Sequence, residues 1–263
     1  MSTQSSDALL ASVKNKLRNL QDSNKRTSGI WKPTGEHTVR LLPYKFSDFP
    51  FIELYFHYDL GKDNLLSPTS FGDPDPIVQY SDKIKAEGTR ESYILSRKLM
   101  PTLRTYAAVI VRGEEDQGVR FWGFGKQTYE EILKTMDDPE YGNILDPYTG
   151  TDLKVSFMSA EEAGNKYGKI TVKGARNSSK LAPNEETIQK WLNTQRPITD
   201  IYKVKTYDEL MESLKAWLES KDDTEETSSR ETAAAKSKPT AEEANTVSKA
   251  TDAFKKYFPK TSA

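Results

Sequence analysis

Apolar residues recur along this chain with two different periods, and the change of period marks out its elements. Over residues 6–21, Leu10, Val13, Leu17 and Leu20 return every three or four positions, which predicts an amphipathic helix. Ser5, Ser6 or Asp7 can cap its start, and Lys14, Lys16 and Arg18 occupy the opposite face. Ser23 to Gly29 is polar and reads as a linker. Then the period drops to two. Segments 37–42, 51–58, 104–112, 118–124, 152–158 and 167–174 are rich in β-branched and aromatic residues and bounded by Gly, Pro, Asp or Asn, as strands are. Arg112 to Gly118 reads as a hairpin loop, and Asn165-Lys166-Tyr167-Gly168 opens another.

Between the second and third strands lies an insertion, 59–103. Its Pro68, Pro74, Pro76 and Pro101 argue against regular structure in much of it. Helical spacing returns at 127–136 (Ile132, Leu133, Met136), at 184–194 (Ile188, Trp191, Leu192) and at 206–219. The last is the clearest: Thr206 and Glu209 form a capping box, and Leu210, Leu214, Trp217 and Leu218 form a stripe expected to pack on the β core. Past 220 the apolar period is lost and a flexible tail is expected. It closes on Ala253-Phe254-Lys255-Lys256-Tyr257-Phe258-Pro259, either a docking motif or an end that packs nowhere.

Composition narrows the chemistry. The 263 residues contain no cysteine, so disulfides, thiolate nucleophiles and Cys-based metal sites are excluded. Apolar runs such as Ala107 to Val111 are too short to cross a bilayer, and no apolar segment follows the N-terminus. With a mean hydropathy of −0.74, a soluble intracellular protein is expected. Lys+Arg number 38 against 39 Asp+Glu, a net charge of −1. That balance is uneven along the chain: 12–46 carries +6, 90–126 +3 and 165–205 +6, separated by 47–82 at −6 and 127–164 at −7. Folding can gather the basic blocks into one groove, or leave an ordinary mixed surface.

Side chains able to do catalysis are scarce. The two histidines are His37, beside a turn, and His57, in a strand-like run where a satisfied hydrogen bond is the ordinary role. No phosphate-binding Gly-rich loop is present. Asp73 and Asp75 offer two carboxylates that can either hold a divalent cation or simply solubilise a loop. More informative is the interleaving of aromatic and cationic residues: Val39-Arg40-Leu41-Leu42-Pro43-Tyr44-Lys45, Arg97-Lys98 before Arg104-Thr105-Tyr106, and Arg120-Phe121-Trp122-Gly123-Phe124-Gly125-Lys126. Unpaired bases stack on aromatic rings, and phosphates need Arg and Lys along the same groove. Strand alternation then puts Phe121 on one face and Arg120 with Trp122 on the other, either as an outward binding pair with Phe121 in the core or with Trp122 simply buried. Short strands, one long insertion and flanking helices make the expected architecture mainly β (α+β). An antiparallel barrel like the oligonucleotide-binding fold (OB-fold) with an inserted lobe fits best. The domains expected are 1–28 (helix and basic arm), 29–220 (core, with the lobe at about 59–103) and 221–263 (tail).

In their order, these motifs resemble the helix-destabilising single-stranded DNA-binding proteins of large tailed phages of the T-even type. The resemblance runs from Trp31 to Met158 and more weakly to about 218. It is carried by Trp31-Lys32, Val39 to Pro43, Pro50-Phe51 with His57, Gln79-Tyr80, Tyr93, Arg97-Lys98 and Tyr106-Ala107. Phe121 to Lys126 and Asp146 to Gly150 before Leu153-Lys154-Val155 complete it. It implies sequence-independent, cooperative coating of single strands in replication, recombination and repair, in the cytoplasm of an infected bacterium. It implies a binding protein and not an enzyme. The binding residues it implies are Arg40, Tyr80, Tyr93, Arg97, Lys98, Tyr106 and Trp122, with Tyr167 from the later hairpin; Arg120 joins them as the neighbour of Trp122.

Three departures qualify that resemblance. The family's lobe holds zinc through one His and three Cys. Here His57 stands at the histidine, but Ser67 to Val78 supplies no thiolate, so no zinc or other cofactor is expected and Phe71, Ile77, Val78 and Tyr80 must hold the lobe. The family's self-association motif finds its nearest equivalent in Lys25-Arg26-Thr27-Ser28, after a helix and not at the chain start. The family's acidic tail, which recruits replication and recombination proteins, is reduced to Asp222 to Glu226 before a cationic, aromatic end. Beside the single-stranded DNA reading stand two alternatives: a metal-dependent nuclease using Asp73 and Asp75, and an adaptor acting through 206–263. RNA in place of DNA is equally compatible with stacking and phosphate contacts.

Overall fold

The computed structural model describes residues 29–227 except Asp59 and 61–63, and of 221–227 the backbone alone. The helix expected over 6–21, the arm Lys25-Arg26-Thr27-Ser28 and the segment 228–263 lie outside the described residues. Eight strands form one sheet: β1 (Ile30–Trp31), β2 (Glu36–Leu41), β3 (Phe51–His57), β4 (Leu65–Leu66), β5 (Thr102–Val111), β6 (Arg120–Phe124), β7 (Thr151–Met158) and β8 (Lys169–Ser178). Their order is β1-β6-β5-β2-β7-β8, with β3 paired to β5 and β4 to β3. Five α-helices accompany them: α1 (Pro76–Lys85), α2 (Arg90–Leu99), α3 (Lys126–Asp137), α4 (Glu185–Asn193) and α5 (Tyr207–Thr227). The sheet is open. Among the described residues β1 pairs only with β6, in parallel, and β8 only with β7, so the expected closed barrel does not form.

The chain divides into two compact units, 29–52 with 105–201 and 53–104 with 202–227 among the described residues. In the first unit, odd positions of β2, β5 and β7 share one face: Val39, Leu41, Ala107, Val109, Val111, Leu153 and Val155 are buried in one cluster. The register Ala107↔Trp122 puts Trp122 and Phe124 on that same face, where Ile132 of α3 also packs. Burying a side chain of this size contributes about 1.5–3 kcal/mol.

The second unit is the inserted lobe with α5. Regular structure fills what its prolines seemed to forbid. Pro76 sits in the first turn of α1, where a missing N–H costs nothing, behind Asp75 as N-cap. Thr89 and Ser92 make a reciprocal capping box for α2. Ile77, Tyr80 and Ile84 of α1 and Leu95 and Leu99 of α2 form a core with Leu210, Leu214 and Leu218 of α5. The α5 stripe therefore packs on the lobe helices and not on the β core. Of the residues expected to hold the lobe, Ile77 and Tyr80 are in this core, Val78 is half-buried and Phe71 is exposed. α5 continues to Thr227, into the expected tail; no Gly or Pro interrupts residues 219–227.

Candidate nucleic-acid interface

The expected binding residues have divided into a buried and an exposed set. Arg40 is on the outer face of β2, but the segment after β8 covers it. Its Nε donates to Asp152 (2.7 Å), and Nη2 donates to the carbonyls of Gly150 (2.9 Å) and Ser179 (2.7 Å). Arg112 grips the same Asp152 and donates to the carbonyls of Lys180 and Leu181. Burial pushes the Arg40 guanidinium below its ordinary value, and Asp152 opposes the shift. Every outward donor of Arg40 is spent on holding chain to chain, so none is left for a phosphate.

Trp122 is 0% exposed. It does share a face with Arg120, as alternation required, but that face is the inner one. Its ring lies 4.8 Å from Phe124 and 5.5 Å from Trp31. Phe121, on the other face, is also buried, edge-on to Tyr44. Both faces of β6 are covered here, so alternation could not say which was wet. Arg120 is half-buried and donates to Glu114 of its own hairpin loop (2.7 Å). Tyr106 is buried, and its ring lies over Gly123, where a Cβ would come within 2.5 Å of it. Tyr80 is in the lobe core. Arg40, Tyr80, Tyr106 and Trp122 are thus buried within the fold and present no open ring or cation at the surface.

Tyr93, Arg97, Lys98 and Tyr167 are exposed. The first three stand on α2, whose inner face buries Ser92, Leu95, Ser96 and Leu99. Its outer face presents Arg90, Tyr93, Ile94 and Arg97 at i, i+3, i+4 and i+7, one stripe one turn apart. Tyr93 is 49% exposed. Arg90 and Arg97 enter no ion pair among the described residues. Exposed Met100 and Leu103 continue the stripe beyond the helix. A flat ring between two guanidinium groups suits a base with its flanking phosphates.

α2 is anchored from below by a buried polar cluster. His57 and Asp75 side chains are both fully buried. His57 Nδ1 lies 2.7 Å from the Leu99 carbonyl and Nε2 lies 2.9 Å from Asp75 Oδ2. The Leu99 carbonyl and the Asp75 carboxylate can each accept a hydrogen bond from the ring. Asp75 also accepts from the Ser67 hydroxyl and, through Oδ1, from the N–H groups of Ile77 (2.8 Å) and Val78 (3.3 Å). Burial pushes its carboxyl up; the hydrogen bonds from His57 and Ser67, the His57 charge and the Ile77 N–H outweigh that, and the net lies below the ordinary aspartate value. His57 and Asp75 thereby tie the start of α1 to the end of α2.

A zinc site does not fit these residues. There is no thiolate, and both nitrogens of His57 are engaged. Among the described residues no group of three or more His, Asp or Glu gathers at one point. Asp75 is occupied as the cap of α1 and as acceptor for Ser67, against His57. No described helix is long and apolar enough to cross a membrane.

In the first unit, Tyr167 is 81% exposed at the β7–β8 turn. Its N–H donates to Asn165 Oδ1 (2.9 Å), Gly168 follows with φ of 77°, and Lys166 Nζ lies 5.3 Å from its ring centre. A further aromatic pair escaped the sequence reading. Phe46 and Phe49, each 50% exposed, stand in the β2–β3 connection, with Lys45 Nζ 6.0 Å from the Phe46 ring. Their signal was present: two phenylalanines in a Ser-Asp-Pro turn with no apolar period to bury them. Neither a protein-family model nor a curated protein matches the chain.

Proposed function

We propose that this protein binds single-stranded DNA without regard to sequence, by base stacking and phosphate neutralisation, and acts as a binding protein and not an enzyme. The observation that carries this is the outer stripe of α2, where Tyr93 stands exposed between Arg90 and Arg97 with Lys98 beside them. A base stacked on an aromatic ring is worth about 1–3 kcal/mol, and each phosphate contact adds a salt-dependent increment. Tyr167 with Lys166 supplies the same pairing of ring and cation in the other unit. The ordered resemblance to phage single-strand coating proteins points the same way, to work in replication, recombination and repair with self-association along the strand. The reading does not need a closed barrel, because its residues lie on a helix and a hairpin tip.

The test is fluorescence anisotropy of a labelled dT oligomer. Tryptophan emission is a poor reporter, since Trp31, Trp122 and Trp191 are buried. Micromolar or tighter binding at low salt, weakened about tenfold by Tyr93→Ala and equally for dA and dC oligomers, is expected. An unchanged affinity for Tyr93→Ala, or no binding by the wild type, would overturn the proposal.

A further inference from the structure

The outer face of the β2–β7–β8 portion of the sheet holds an arrangement that works against stability. Lys154 and Lys173 are direct cross-strand partners. Side chains so placed stand about 5 Å apart at Cβ, and like charges there repel. Lys169 lies on the same face of β8, two register positions on, opposite exposed Met158. All three lysines are exposed, and none enters an ion pair among the described residues.

Neighbouring carboxylates form no ion pair with them among the described residues, although Glu131 accepts the Val172 N–H beside Lys173 (2.8 Å). Lys154 faces Thr38 across β2, and the intervening pair is Ser156 with Thr171. Glu36, opposite Ser156, is the one acid of β2 on this face. Asp152 is committed to Arg40 and Arg112. In the turn, Glu162 accepts from the Ser159 N–H and hydroxyl. From 165 to 180 the chain has Lys166, Lys169, Lys173, Arg176 and Lys180 and no acidic residue. The core side of the same strands is apolar, so the charge is confined to one face.

We infer that this face is a second contact surface for nucleic acid, a track for the phosphates of a single strand, with Lys154, Lys169 and Lys173 as its contacts. The inference rests on the reading of the protein as a single-strand binder and adds a site on the unit that lacks α2. Its chemistry is that of phosphate and not of base: the cations are lysines, point charges without planar recognition, and the nearest ring is Tyr167 at the hairpin tip. The repulsion between Lys154 and Lys173 is relieved when a phosphate lies between them, so the cost borne by the free protein is recovered on binding.

The experiment is a salt titration of dT-oligomer binding by the full-length wild type and by Lys154→Ser/Lys173→Ser, with thermal melts of both. In the double variant the slope of log affinity against log salt falls by about 1.4, and affinity at 50 mM salt falls on the order of tenfold per lysine. Its melting temperature is equal to or above that of the wild type, because a repulsion has been removed. If the wild type binds and the double variant keeps the full slope, the track is wrong and the single-strand reading stands. If the wild type does not bind, both fall.

Discussion

β6 and α2 carry nearly the same chemistry and meet opposite fates. Arg120-Phe121-Trp122 and Arg90 to Lys98 both set rings among cations. On β6 both rings are buried and the arginine closes a hairpin against Glu114. On α2 the ring and its two arginines stand in solvent. The difference is one of layers. β6 is covered on both sides, so Trp122 on one face and Phe121 on the other are both buried. A helix at a surface buries one stripe, here Leu95 and Leu99, and leaves the remainder wet. Residue type alone thus says less about binding than the number of faces an element has free.

The largest effect should come from breaking the buried side. Trp122→Ala removes a ring packed against Trp31 and Phe124 and should cost about 3–5 kcal/mol in urea unfolding, with its effect on DNA binding confined to the loss of folded protein. Next is the buried pair beneath α2. Asp75→Asn removes the buried carboxylate that accepts from Ser67 and lies against His57 and should cost about 1–3 kcal/mol, read as a lower melting temperature. The same pair gives a pH dependence. Asp75 is held below its ordinary value, so its contribution is complete above the ordinary aspartate range and is lost as pH falls through the lowered value. Melts taken downward in pH from neutrality should show α2 and α1 loosening in acid, and Asp75→Asn should flatten that part of the curve.

Much of this was legible beforehand. All six long strands, α3, α4 and the start of α5 lie within a few residues of where period and punctuation put them, because each has a consistent apolar face. α1 and α2 were missed because proline was read as a breaker; Asp75-Pro76 is a helix start, and Ile77, Tyr80 and Ile84 already had helical spacing. The site was harder. Arg40 and Trp122 look like binding residues until the chain at 179–182 and α3 cover them, and those contacts join positions a hundred residues apart or more in the case of Arg40. His57 was correctly read as hydrogen-bonded, but its partners Asp75 and Leu99 come together only when the lobe folds.

Smaller effects sharpen the exposed side. Arg97→Ala should leave stability within about 0.5 kcal/mol and lower the salt slope of dT binding by about 0.7. Tyr93→Ala should be as mild in unfolding while weakening binding, the reverse of Trp122→Ala.

The most direct measurement is photocrosslinking of a 5-iododeoxyuridine oligomer to the intact protein, followed by tryptic mass mapping. Cleavage after Arg90 and Arg97 isolates Tyr93 on the peptide 91–97. Crosslinked nucleotide on that peptide, abolished by Tyr93→Ala and retained by Tyr93→Phe, is the expected result; adducts confined to other peptides, or none at low salt, would contradict the assignment of α2 as the binding face.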